Sequence, residues 1–334
     1  MSCLCQPNID MAELRKLAWS GVPAELRGIV WQLLLNYLNI NIQERPFSLK
    51  EKRKEYADIA KEYFGENENK DNTNSSLLDP VMWHQIKIDV HRTHPHLPLW
   101  QYPVTQKCLE RILYIWAHKH PASGYVQGIN DLATPFFEVF LSVYIDSEPE
   151  EFDVAHLPSY ALEAVEADTY WCLSELLYGI QDNYTSAQPG IHRQVARMKE
   201  LCYRIDSTLA QHLEDQNVEF MQFAFRWVNC LLMREMSVKS ITRLWDTYLS
   251  EGTDAFSDYH IYVCLSFLVK WSEKLRNMDF QEIIMFLQSI SSTQSWSESQ
   301  TELLLSEAFM WKSLFQVSFC RLLLFVFLVP NISP

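Results

Sequence analysis

The feature that most constrains this chain is the period of its apolar residues, which return every three or four positions along nearly its whole length. No stretch alternates with period two for long, so the chain is expected to be all-α. The spacing predicts helices over residues 11–18, 24–38, 49–64, 81–91, 105–120, 162–178, 191–205, 207–215, 219–234, 238–250, 259–274 and 280–288. Another apolar helix follows Gln127-Gly128, with Asn130 or Asp131 as its cap and Leu132, Phe136, Val139 and Phe140 as its buried stripe. Residues 65–76, rich in Asn, Glu and Asp, and residues 289–300, rich in Ser, Thr and Gln, read as exposed loops.

With 334 residues, 48% of them hydrophobic, the chain can bury a substantial core and is long enough for two lobes. The acidic run Asp146, Glu148, Glu150, Glu151 and Asp153 marks the expected boundary. It divides an N-terminal lobe, residues 1–160, from a C-terminal lobe, residues 161–312, and leaves an apolar tail, residues 313–334. A formal charge of -14 argues against a nucleic-acid binder, which needs surplus Lys and Arg to neutralise phosphates. The 8 cysteines are scattered apart from Cys3 and Cys5, a pattern of reduced thiols rather than of a disulfide framework or zinc site. The N-terminus shows no signal-peptide pattern, so a cytoplasmic protein is expected. In the tail, Gln316 and Arg321 interrupt the apolar run over residues 313–329. What remains uninterrupted is shorter than the roughly 20 residues of a bilayer span, so a buried terminal helix or a divergent appendage is expected, with a membrane tail anchor as the alternative.

Two polar residues stand out against this apolar background. Arg92 sits where a helix opened by Asp79-Pro80 must end, because Pro95 disfavours helix for the residue before it. Asp89, one helical turn earlier, shares its face and can hold the guanidinium. Gln127 lies on a turn between two helices, bracketed by Gly124 and Gly128, in a chain with only 8 glycines. That bracketing implies a tight bend or a close approach to the backbone. Pattern alone does not assign a role, since an exposed Arg–Asp pair is ordinarily worth at most about 1 kcal/mol. Other chemistries find little support. His91-x-x-His94-x-His96 is broken by Pro95 and has no carboxylate or Cys at ligand spacing, so no metal site is expected. Neither a Walker-type phosphate loop nor a nucleophile elbow is present.

The segment Ile86-Lys-Ile-Asp89-Val-His-Arg92 resembles the IxxDxxR motif of TBC-domain Rab GTPase-activating proteins. Tyr125-Val-Gln127 resembles their YxQ motif, within Ser-Gly-Tyr-x-Gln-Gly-Ile-Asn-Asp. Gly21-Val-Pro23 with Leu26-Arg27-Gly28-Ile-Val-Trp31 is similar to the family's opening motif, and Arg226-Trp227, Arg234-Glu235 and Leu244-Trp245-Asp246 to its later ones. The resemblance covers residues 14–309, and Val165-Glu-Ala-Asp168 to Trp171 with Gln188-Pro-Gly190 look closest to the family's member 22 subgroup.

This resemblance implies a two-lobed helical Rab-GAP domain with Arg92 as arginine finger and Gln127 as glutamine finger, supported by Asp89, Tyr125, Gly128, Asn130 and Asp131. The implied partner is a GTP-bound Rab that carries its own GTP and Mg²⁺; the domain brings no cofactor or metal, and activates rather than being an enzyme itself. It also implies a role in vesicle trafficking, in the cytoplasm or peripherally on Golgi or endosomal membranes. The competing expectation is a catalytically silent Rab-binding or scaffold adaptor on the same fold.

Overall fold

A computed structural model describes residue 4 and residues 6–65, 78–289 and 296–328, without the side chains of Thr253 and of residues 316–328. Fifteen α-helices account for most of these residues, and no strand occurs among them. In order they are α1 Met11–Ala18, α2 Ala24–Leu34, α3 Arg45–Phe64, α4 Pro80–His91, α5 Pro103–Lys119, α6 Ile129–Leu141, α7 Ser159–Gly179 and α8 Pro189–Ile205. Then come α9 Ser207–Asp215, α10 Met221–Asn229, α11 Val238–Glu251, α12 Asp258–Val269, α13 Ser272–Leu275, α14 Phe280–Gln288 and α15 Glu298–Leu328.

Several helix limits differ from the periodicity, each for a local reason. The helix expected over residues 24–38 stops at Leu34, because Asn36 takes a left-handed conformation with φ 58°. The one expected from residue 49 starts at Arg45 instead; Pro46 falls in its first turn, where a missing N–H costs no helical bond. The span 219–234 is helical only from Met221 to Asn229, since Leu231 and Leu232 are both left-handed, with φ 48° and 62°. The span 259–274 breaks at Lys270–Trp271 into α12 and α13. The expected loop 65–76 lies almost wholly outside the described residues, and of the loop 289–300 the last residues belong to α15.

α6 is the centre of the molecule, with all its residues buried, and it packs against α2, α4, α5, α7 and α11. Burying one such Phe or Leu side chain contributes about 1.5–3 kcal/mol, so Phe136, Phe137, Phe140 and Leu132 alone account for a large share of local stability. α7, which the sequence division puts at the head of the second lobe, packs against α3, α5 and α6. Its Asp168 accepts from Gln32, Tyr37 and both ends of the Arg53 fork at 2.7–2.8 Å, while Glu166 accepts from Tyr56 and Arg111. The acidic motif Val165-Glu-Ala-Asp168 is therefore a pair of buried clamps on α2, α3 and α5.

The opening and closing motifs meet at another buried acid. Asp246 of α11 accepts from the Val22 amide at 2.9 Å, Arg27 Nε at 3.1 Å, Arg27 Nη2 at 3.2 Å and Trp31 Nε1 at 2.7 Å. Burial raises its carboxyl, and the Arg27 guanidinium partly offsets the rise. Near the C-terminal end, Leu304, Leu305 and Ala308 of α15 are buried against α11 and α12. Lys312 pairs with Glu251, which also accepts from Trp19 Nε1 at 2.7 Å. The helix continues unbroken past residue 313, where the sequence reading begins its tail; the guanidinium of Arg204 lies 4.6 Å from the Phe315 ring centroid. The apolar residues expected to be buried beyond it lie outside the described side chains. No helix among the described residues is long and apolar enough to cross a membrane.

Candidate functional site

Asp79 caps α4 by accepting from the amides of Val81 and Met82, and Pro80 occupies its first turn. Gln85, Asp89 and Arg92 follow at helical spacing on one face. Arg92 is the C-cap, with φ -102° and ψ 3°, where a cation also meets the negative end of the helix. Its Nη2 lies 2.5 Å from Asp89 Oδ1, and half of its side chain is exposed while that of Asp89 is fully buried. The helix is closed behind it by Thr93 Oγ1, which donates to the Asp89 carbonyl, and by left-handed His94.

Tyr125 joins the two sequence segments. Its hydroxyl donates to Asp89 Oδ2 at 2.8 Å and lies 3.3 Å from Asn130 Oδ1. Burial pushes the phenol well up and the Asp89 carboxylate adds to this, so Tyr125 stays a donor at any physiological pH. Asn130 in turn accepts from the Gly128 amide at 3.1 Å and donates to Thr93 Oγ1 at 2.9 Å. The end of α4 and the turn before α6 are thus one hydrogen-bonded unit.

Gly128, not Asn130 or Asp131, caps α6, and both of those residues lie in its first turn. The correction has a steric reason: with φ 110°, Gly128 adopts a backbone that L side chains rarely reach, and a Cβ there would come 2.5 Å from Asn229 Nδ2. Gly124, at φ 61°, meets no such neighbour and is required only for its dihedral. Between them Gln127 is exposed, held through its backbone carbonyl by Asn229 Nδ2 at 3.0 Å. Among the described residues its side-chain amide has no hydrogen-bond partner.

Arg92, Gln127, Asn130 and Asp131 line one cleft of about 580 Å³, whose lining also includes the segment around Arg234. Asp89, Tyr125 and Gly128 stand behind that lining and fix it. The seven residues expected at the site are thereby brought to one place. Two that were given no role, Asn229 and Arg234, belong there too: Asn229 braces Gln127, and Arg234 Nε lies 2.8 Å from Asp131 Oδ2. The signal for Arg234 was its place in the later Arg226 to Glu235 motif; Asn229 had none.

The fold and the cleft define a class. A model of the Rab-GTPase-TBC domain family matches residues 24–276, and the chain belongs to that family. Over 310 residues it is 54% identical to the GTPase-activating protein gyp1 of Schizosaccharomyces pombe, covering 92% of this chain and 59% of that protein. It is 49% identical to human TBC1 domain family member 22B, covering 93% of this chain and 60% of that protein, in keeping with the member 22 resemblance. The chain thus spans less than two thirds of the length of these curated relatives. A crystal structure of the Ypt/Rab-GAP domain of Gyp1p, 47% identical, superposes with a TM-score of 0.85 over 93% of this chain and 95% of that one. A Chlamydomonas flagellar RabGAP TBC domain, 20% identical, shares the fold with a TM-score of 0.62.

Proposed function

We propose that this cleft completes the active centre of a GTP-bound Rab, with Arg92 and Gln127 supplied in trans, and that the domain thereby accelerates GTP hydrolysis as an activator. The nucleotide and its Mg²⁺ belong to the partner. Hydrolysis in such GTPases is slow because charge builds on the γ-phosphate oxygens and the attacking water is poorly held. Arg92 answers the first need with a planar fork of donors already fixed by Asp89, so little reorganisation is left for the transition state. Gln127 answers the second, since a free primary amide both donates and accepts and can orient a water.

One observation carries this reading: a half-exposed guanidinium pinned to a buried carboxylate and an amide without a partner open on the same cleft. The names of the relatives at 54% and 40% identity, GTPase-activating proteins of two yeasts, point the same way. The test is a hydrolysis screen against a panel of GTP-loaded Rabs, repeated with the best of them after its own catalytic glutamine is replaced. Acceleration of at least one Rab is expected, and appreciable acceleration of the substituted Rab. Binding without acceleration across the panel would make the domain a silent adaptor, and complete dependence on the Rab glutamine would remove Gln127 from the mechanism.

A further inference from the structure

The activation reading leaves the part of the cleft wall around Arg234 without a task. That wall begins where α10 ends at Asn229 and the backbone passes through two consecutive left-handed leucines, Leu231 and Leu232, both fully buried. Left-handed conformations cost an L-residue roughly 1–2 kcal/mol each and persist where the surroundings over-determine them, which happens preferentially at functional sites. The effect of this turn is to bring Met233, Arg234 and Met236 to the cleft, with Val238 and Leu97 beside them.

Arg226 and Glu235 of the same segment are spent on each other, with Nε 2.6 Å from Oε1. Arg234 is not. Its Nε donates to Asp131 Oδ2, but among the described residues its two terminal nitrogens have no acceptor, and 35% of its side chain is exposed. Asp131 is itself buried, so Nε of the arginine is fixed while part of the side chain stays exposed at the cleft. A pre-positioned guanidinium framed by methionines and aliphatic residues has the composition of a protein-binding hot spot, in which Arg and Met are enriched and water is excluded.

We propose that Arg234 is a contact for a carboxylate side chain on the partner face that flanks the bound nucleotide, and so sets affinity and partner choice rather than the rate of the chemical step; this rests on the activation reading above. The planar fork suits two parallel bonds to a carboxylate, and its low hydration lets the pair form in the ground-state complex. Arg92 and Arg234 then divide the work: one meets charge that appears only during reaction, the other recognises charge the partner always carries.

The experiment compares wild type, Arg234→Gln, Asp131→Asn and Arg92→Ala on the Rab that the domain activates best, measuring kcat, KM and the Kd for that Rab loaded with a non-hydrolysable GTP analogue. Arg234→Gln is expected to raise KM and Kd by about tenfold or more, the scale of one charge-assisted contact, with little change in kcat. Raising the salt concentration is expected to weaken wild type more than Arg234→Gln. Asp131→Asn removes the charge of the tether but keeps the cation, and a smaller loss of affinity is expected. Unchanged KM and Kd in Arg234→Gln overturn the proposal, as does an equal effect of the Asp131 and Arg234 variants, which marks the arginine as a brace. A fall in kcat alone also overturns it, by making Arg234 a contact to the phosphates. Wild-type kcat in Arg92→Ala refutes the activation reading itself, a result separate from any of these.

Discussion

Two buried aspartates, Asp246 and Asp89, organise this molecule, and they differ in what surrounds them. Around Asp246 the hydrogen bonds close on themselves: Val22, Arg27 and Trp31 all donate inward, and the second end of the Arg27 fork also meets the Val22 carbonyl at 2.7 Å. Around Asp89, which is held by Gln85, Arg92 and Tyr125, the network opens outward, because Arg92 and Gln127 reach the cleft with donors unspent. The lesson is that a buried acid does not itself mark a functional site. What distinguishes one is whether the groups it fixes still have bonds to make.

Substitutions break this contrast most sharply at Arg92. Arg92→Ala and Arg92→Lys are both expected to lose stimulated hydrolysis by about 10³-fold or more with the fold intact, since Lys lacks the fork; the Ala variant also lowers the melting temperature modestly, because buried Asp89 keeps only Gln85 and Tyr125 as donors. Single-turnover hydrolysis with the best Rab, alongside thermal unfolding, checks both parts. Near wild-type activity in either variant would remove Arg92 from the mechanism.

At the closed network the expectation is reversed. Asp246→Ala leaves Arg27 without its carboxylate and is expected to destabilise the fold by about 3–5 kcal/mol, read from urea unfolding. Molecules that remain folded should keep their kcat. A selective loss of kcat with intact stability would place Asp246 in the active cleft rather than in the fold's support.

A smaller effect is expected from Asn229→Ala, which removes the brace on Gln127 from outside. The loss of kcat should be about tenfold, on the scale of one lost hydrogen bond. It should vanish in a Gln127→Ala background, because a residue that acts through another shows no further effect once that residue is gone. Amide exchange over residues 125–130 should quicken in the same variant, and additive losses would instead assign Asn229 a separate role.

A last contrast, in pH dependence, concerns Glu138, buried on α6 with Trp100 Nε1 donating to it at 3.0 Å. Burial, with Glu150 adding, pushes its carboxyl up to about 8. Because the folded form holds its proton more tightly than the unfolded chain, this contribution to stability is fully present at acidic pH and is lost as pH rises from about 4.5 to about 8. Glu138→Gln should remove that fall from the profile of unfolding free energy against pH, while an unchanged profile would mean that another group titrates there.

How much of this could be read in the residues depended on distance along the chain. Arg92 and Asp89 are one helical turn apart, so periodicity alone put them together, and the two glycines around Gln127 marked an unusual backbone before its shape was known. The Gly128 cap was missed because its cause, the side chain of Asn229, lies 101 residues away. The end of α10 was missed for a related reason. Leucines have no intrinsic preference for the left-handed region, and only the packing around Leu231 and Leu232 holds them there, so no Gly or Pro announced the turn that delivers Arg234. The all-α fold was legible throughout, because each helix carries its own apolar stripe.

The Asp246 junction has a consequence in time as well as in space. Its partners precede it by 215 to 224 residues. At the roughly 5–20 residues per second of ribosomal synthesis, α1 and α2 therefore wait on the order of 10–40 s before the residue that seats them has been made. During that interval α4 to α7 can already associate and α2 can dock on α6, whereas the face of Trp31 that meets Trp245 waits for α11. α1, which packs on α11, is thus made before α4 to α7 and settles after them.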